Sequence, residues 1–171
     1  MAGFTHVLVP LDGSALAEQA LPLALTLVKA FNSKLTLLRA TDFLHPTLLA
    51  PHLSSVTAEA IANAYEHCAL EAKLYLHQVR NELHQRGVKV EILLEDAQPA
   101  EAIIDAATRH EVDCIVMSTH GRSGLARWTM GSVADKVVHR APCPVLLVRQ
   151  HNETGEEALP QMLDRLLSGK E

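Results

Sequence analysis

DCIVMS at Asp113–Ser118, followed by THGRSGLARWTMGS at residues 119–132, is the stretch that decides the fold. The first six residues form a short apolar run, the pattern of a strand buried on both faces of a parallel sheet. The stretch after it gathers Gly121, Gly124 and Gly131, three of the eight glycines of the chain. Among them stand Thr119, Ser123, Thr129 and Ser132, with His120, Arg122 and Arg127. Glycine lets backbone N–H groups approach an anion closely. A helix opened by Gly131-Ser132 would turn its N-terminal amides and dipole toward phosphate. Ser132 can cap that helix or donate its hydroxyl to a phosphate oxygen, and the two arginines can add charge-assisted bonds. The same composition also fits a glycine-rich surface loop.

Outward from this stretch, short apolar runs alternate with longer helical patterns, the signature of βαβ units and a parallel sheet. Strands are expected at His6–Leu11, Lys34–Ala40, Lys89–Leu94, Asp113–Ser118 and Pro144–Arg149. Between them, helical spacing covers residues 15–31, about 57–85, about 99–109 and 132–140. The long helix should stop at Gly87, a residue suited to a left-handed C-cap. Asp12-Gly13-Ser14 reads as a turn able to cap the helix after the first strand. Residues 41–56 form a connection containing proline and histidine, long enough for a flap or a surface insertion. Right-handed crossovers then give a five-stranded parallel doubly wound α/β sheet, Rossmann-like, in the order 3-2-1-4-5, with helices on both faces. Residues 1–150 make the domain. Residues 151–171 make a polar tail in which Leu159, Met162, Leu163, Leu166 and Leu167 mark a short amphipathic helix.

At 171 residues with 48% hydrophobic and 4% aromatic residues, the core must be aliphatic, which suits helices packed on a sheet. A formal charge of −5 without clustered Lys and Arg speaks against a nucleic-acid surface. No apolar run approaches the roughly 20 residues of a bilayer span, and the N-terminus has no signal-peptide pattern. The expectation is a cytoplasmic protein without membrane partners. Cys68, Cys114 and Cys143 form no CxxC pair, and Cys114 and Cys143 read as small buried hydrophobes. Of the histidines His67, His77 and His84 in the long helix, only the last two share heptad spacing. No carboxylate completes a metal site there.

GRSGLARWTMGSVADKVVHRAPCPVLLVR, together with VPLDGSALAEQAL near the N-terminus, closely resembles the universal stress protein family over residues 4–149. The nucleotide motif of that family is G-x2-G-x9-G-[S/T]. Ser118, Gly121, Gly131 and Ser132 occupy its positions here, so serine stands where the first glycine is expected. The resemblance implies that Pro10, Leu11 and Asp12 line the adenine and ribose end of a site. Asp12 would accept from ribose hydroxyls or meet a divalent cation, and Ala40 would meet adenine through its backbone. Met117 would stand at the strand rim. Ser118, Gly121, Arg122, Gly124, Gly131, Ser132 and Val133 would surround the phosphates. ATP with Mg2+ is the ligand so implied, with ADP or AMP possible. A homodimer through Pro144–Arg149 is implied as well.

Two further readings stand beside this one. The apolar last strand, flanked by Pro142 and Pro144, also fits a nucleotide-independent dimeric stress or interaction protein. An enzyme is disfavoured. His120 has no acidic partner in sequence, Ser123 lacks a nucleophile elbow, and GxxxxGK[ST] is absent. At most, slow incidental ATP hydrolysis is expected.

Overall fold

Five aliphatic runs pair in parallel into a single sheet in the order β3-β2-β1-β4-β5. The computed structural model describes residues 3–41, 55–119, 130–149, 161, 163 and 164. The chain order is β1 (His6–Pro10), α1 (Ala15–Glu18), α2 (Leu21–Phe31), β2 (Lys34–Ala40), α3 (Ser55–Gln85) and β3 (Val90–Glu95). It continues with α4 (Pro99–Arg109), β4 (Cys114–Ser118), α5 (Ser132–Arg140) and β5 (Val145–Val148). This is the expected doubly wound topology, with each strand within a residue of its expected bounds. β4 is buried along its whole length, and β5 forms an edge with all its residues half-buried.

The expected single helix over 15–31 is two helices. Pro22 stands at the start of α2, where its missing N–H costs nothing. In a continuous helix its ring would clash with the Glu18 carbonyl. The end of α3 follows the expectation closely. Gly87 adopts φ +80°, the Val88 amide donates to the Leu83 carbonyl at 3.0 Å and the Gly87 amide to His84 at 2.9 Å. That is a Schellman pattern, with Val88 and Leu83 meeting in the core beneath it.

Side chains alternate between the two faces of the sheet. Val7, Val9, Leu35, Leu37, Cys114 and Val116 pack with α2 and α3 on one face. Leu8, Leu38, Ile115 and Met117 pack with α4 and α5 on the other. Leu163 of the tail is fully buried within the first of these clusters. The remaining tail leucines, Met162 and residues 42–54 of the expected connection lie outside the described residues. Cys114 is buried as expected, which pushes its thiol up to about 11, whereas Cys143 is half-buried.

At the amino ends of the strands, His6 is buried between two partners. Its Nδ1–H donates to the His110 carbonyl at 3.0 Å, and its Nε2 accepts from the Thr36 hydroxyl at 2.7 Å. Burial pushes this imidazole below its ordinary value of 6.5, against the His110 carbonyl, which favours the charged form. Above pH 6.5 the neutral ring is present in both states and its contribution is complete. As pH falls from 6.5 toward the lowered native value, the unfolded chain binds the proton first and stability declines. The urea midpoint is therefore expected to drop between about pH 7 and pH 5. His6→Gln should drop less steeply, and an equally steep decline in that variant would overturn the assignment.

Candidate functional site

β1 has β2 on one side and β4 on the other, so the helices after β1 and β4 leave on opposite faces and open a crevice at the carboxyl ends. A cavity of about 530 Å³ fills this crevice. Pro10, Leu11, Asp12, Ala40, Met117, Ser118, Gly131, Ser132 and Val133 all line it. Every expected site residue among the described ones is thus brought together. Gly121, Arg122 and Gly124 lie outside the described residues, as does His120.

One wall is apolar, built from Leu38, Ala40, Ile103, Met117 and Val133, a surface suited to a planar heterocycle. Polar residues line it as well: Ser118 and Thr119 at the end of β4, and Ser132 at the opening of α5. Gly131 is the N-cap of α5 at φ −62°, ψ 148°, with no side-chain capping bond. Ser132 is therefore the first helical residue and not the cap, contrary to one of its two expected roles. The backbone amides of residues 132–134 have no carbonyl a turn earlier in the helix, and all three residues line the cavity. The Gly131 amide itself donates to the Thr119 carbonyl at 2.9 Å, and the Thr119 amide donates to Val148 at 3.0 Å. Both ends of the glycine-rich turn are thereby tied together and anchored to β5. Donors for an anion come from the first turn of α5, with the helix dipole behind them.

At the far end, Asp12 does not cap α1 directly. Ser14 is the N-cap, its hydroxyl accepting from the Ala17 amide at 3.1 Å. Asp12 Oδ1 accepts from the Ser14 amide at 2.9 Å and the Ser14 hydroxyl at 2.6 Å. The carboxylate is thus oriented by the cap it supports. Ser118, standing in place of the motif glycine, ends β4 and is 8% exposed, so its side chain lies mostly within the packed rim.

Sequence reading missed Arg39, Cys68, Glu71, Ala72, Pro99 and Ile103, which also line the cavity. They come from β2, α3 and α4, and only tertiary packing brings them to the crevice. Arg39 alone left a signal, as a charge at the end of the apolar run LTLLRA. Among the described lining residues the ionisable acids are Asp12 and Glu71, the base is Arg39, and neither histidine nor lysine is present. That set binds and orients.

The universal stress protein family model matches residues 3–149. A universal stress protein of Methanocaldococcus jannaschii is 31% identical over 147 residues, covering 86% of this chain and 83% of its own. The solved universal stress protein UspA from Lactobacillus plantarum is 27% identical, with a TM-score of 0.73, covering 87% of this chain and all of that one. A family protein from Arabidopsis thaliana, solved with AMP bound, is 18% identical with a TM-score of 0.56, covering 87% of this chain and 94% of its own, and shares the fold. Fold, spacing and family model agree: the chain belongs to the universal stress protein family.

Proposed function

We propose that this protein is a stress-response or signalling module that binds an adenine nucleotide, ATP in preference to ADP or AMP, with Mg2+ accompanying the phosphates. The observation that carries the reading is the α5 N-terminus, which lacks a side-chain cap and opens into a cavity whose other wall is apolar. Adenine lies against Ala40 and Met117, the ribose near Asp12, and the phosphates on the amides of residues 132–134. A smaller cavity of about 220 Å³ shares Pro99, Ser132 and Val133 with the first and adds Lys136. Glu101 lines that cavity as well and offsets the charge of Lys136. AMP bound to the Arabidopsis thaliana relative supports an adenine ligand. The module works in the cytoplasm and holds its ligand without efficient turnover, a reading supported by a sequence with no GxxxxGK[ST] lysine and no nucleophile elbow at Ser123.

Nucleotide-free protein titrated calorimetrically with ATP, ADP and AMP, with and without Mg2+, is expected to bind ATP with a Kd of about 1 μM. At ligand about a hundredfold above Kd, melting should rise by roughly 5–10 °C. Neither heat nor shift with any of the three at about 1 mM, a thousand times that Kd, would sink the reading.

A second reading, a dimer indifferent to nucleotide, is favoured by β5, whose Val145–Val148 edge is apolar and half-buried. Both readings pair two copies through residues 144–149. Sedimentation with and without ATP separates them, because a dimer that forms alike in both conditions and binds no nucleotide supports the second.

A further inference from the structure

β2 runs from apolar core to crevice, and its last charged residue lies between an aromatic ring and a turn. Arg39 points to the face opposite Ala40, and its guanidinium carbon lies 5.0 Å from the centre of the Tyr75 ring of α3. The Tyr75 hydroxyl donates to Glu18 Oε1 of α1 at 2.7 Å. Gly13, in the turn between β1 and α1, adopts φ +85°. A Cβ built there would lie 3.1 Å from Arg39 Nη1 and 3.4 Å from both Cζ and Nη2. Near-equal approach of three guanidinium atoms means that the planar group packs broadside against the turn. Gly13 is favoured by its left-handed backbone, and a Cβ there would also press on the arginine beside it.

The turn held in this way carries Asp12 into the cavity. Ser14 fixes one carboxylate oxygen from the helix side, and Arg39 bounds the same turn from the sheet side. A guanidinium stacked on an aromatic ring loses little freedom and keeps a fixed plane. It also sets positive charge beside Asp12 and Glu18, whose carboxylates act on the same Tyr75.

We infer that Arg39 is a positioning residue of the nucleotide site: braced by Tyr75, which Glu18 in turn holds, it keeps the Asp12–Gly13 turn in the conformation that meets the ribose hydroxyls. The inference rests on the nucleotide reading above and adds what gives that site its preference for a hydroxylated sugar. Arg39 acts through the turn, so its loss removes recognition of the diol and leaves the adenine wall and the phosphate end in place.

The test compares AMP with 2′,3′-dideoxy-AMP by calorimetry on the wild type, Arg39→Met and Tyr75→Phe. The wild type is expected to favour AMP about tenfold, the loss of one charge-assisted bond. In Arg39→Met the preference should fall to about twofold or less, with dideoxy-AMP affinity within about twofold of wild type. Tyr75→Phe keeps the ring but removes the bond to Glu18, and its preference should fall between the two. It carries the test alone should Arg39→Met fail to fold. Equal weakening of both nucleotides, an undiminished preference in the variants, or no preference in the wild type would each overturn the inference. Failure of the wild type to bind ATP as well as both of these is a different result, which removes the nucleotide reading itself and this inference with it.

Discussion

Gly131→Asp is expected to raise the Kd for ATP at least about a hundredfold while leaving the melting temperature unchanged or slightly higher. Gly131 is the N-cap of α5, at a φ of −62° that any residue adopts. Aspartate is among the preferred N-cap residues and glycine ranks somewhat below it, so the helix gains a few tenths of a kcal/mol. The gain comes from the carboxylate accepting from the amides of residues 133 or 134. Those are the donors assigned to the phosphates, and the new charge stands where the anion must come. Two like charges about 4 Å apart cost about 4 kcal/mol at an effective dielectric near 20, roughly three decades in affinity. Opposite signs for stability and binding make the substitution diagnostic. Gly131→Ser adds a neutral cap and should weaken ATP far less than Gly131→Asp. Binding of ATP by Gly131→Asp within about threefold of wild type would remove the phosphates from the α5 N-terminus.

The strands and their order were legible because each is a short run of branched aliphatic residues between turn residues. A parallel sheet buried on both faces leaves such a run little alternative. The carboxyl-end site was legible for a related reason. Pro10 to Asp12 and Met117 to Ser118 stand at strand ends, and Gly131 to Val133 open a helix, positions that topology alone turns toward the crevice. The misreadings share a different cause. Helical spacing ran through Pro22 unbroken because apolar periodicity does not register a missing N–H. Asp12 and Ser14 are both good capping residues, and only the bonds show that Ser14 caps and Asp12 supports it. Arg39, Cys68 and Glu71 belong to elements that read as ordinary strand and surface helix. Cys68 and Glu71 reach the site because α3 passes the carboxyl end of the sheet, which no local pattern encodes, whereas Arg39 reaches it at the end of β2.

The wall contributed by α3 bears on what ligand binding can do. α3 reaches from the crevice, at Cys68 and Ala72, to the amino end of β3, where its C-terminus turns. Tyr75 joins it to Arg39 and Glu18 on the crevice side, and Arg86 joins it to Asp164 at the other end, 2.5 Å away. A helix of 31 residues therefore reaches the Gly13 turn through Arg39 and borders the C-terminal tail at Asp164. The family match ends at residue 149, so this second contact lies beyond the part of the chain that the family model describes.

Leu163→Ala is accordingly expected to destabilise the protein by about 2–5 kcal/mol, lowering the melting temperature by roughly 5–15 °C. The sequence reads the tail as a short amphipathic helix in a polar stretch, and a loosely docked helix of that kind contributes little. Leu163, however, is 0% exposed and packs into the cluster formed by β1, β2, α2 and α3. Its removal leaves a void against Leu and Val side chains that cannot all move to fill it. Out of a total stability of about 5–15 kcal/mol, that is a large share. The ion pair beside it contributes differently. Asp164 is 72% exposed in its side chain, so Asp164→Ala should cost under about 1 kcal/mol, and less in high salt. The contrast between neighbouring positions is the decisive measurement, made by denaturant unfolding with a constant m-value. A cost at Leu163 as small as that at Asp164 would return the tail to the surface. A cost several-fold larger makes residue 163 part of the core of a domain whose family resemblance stops before it.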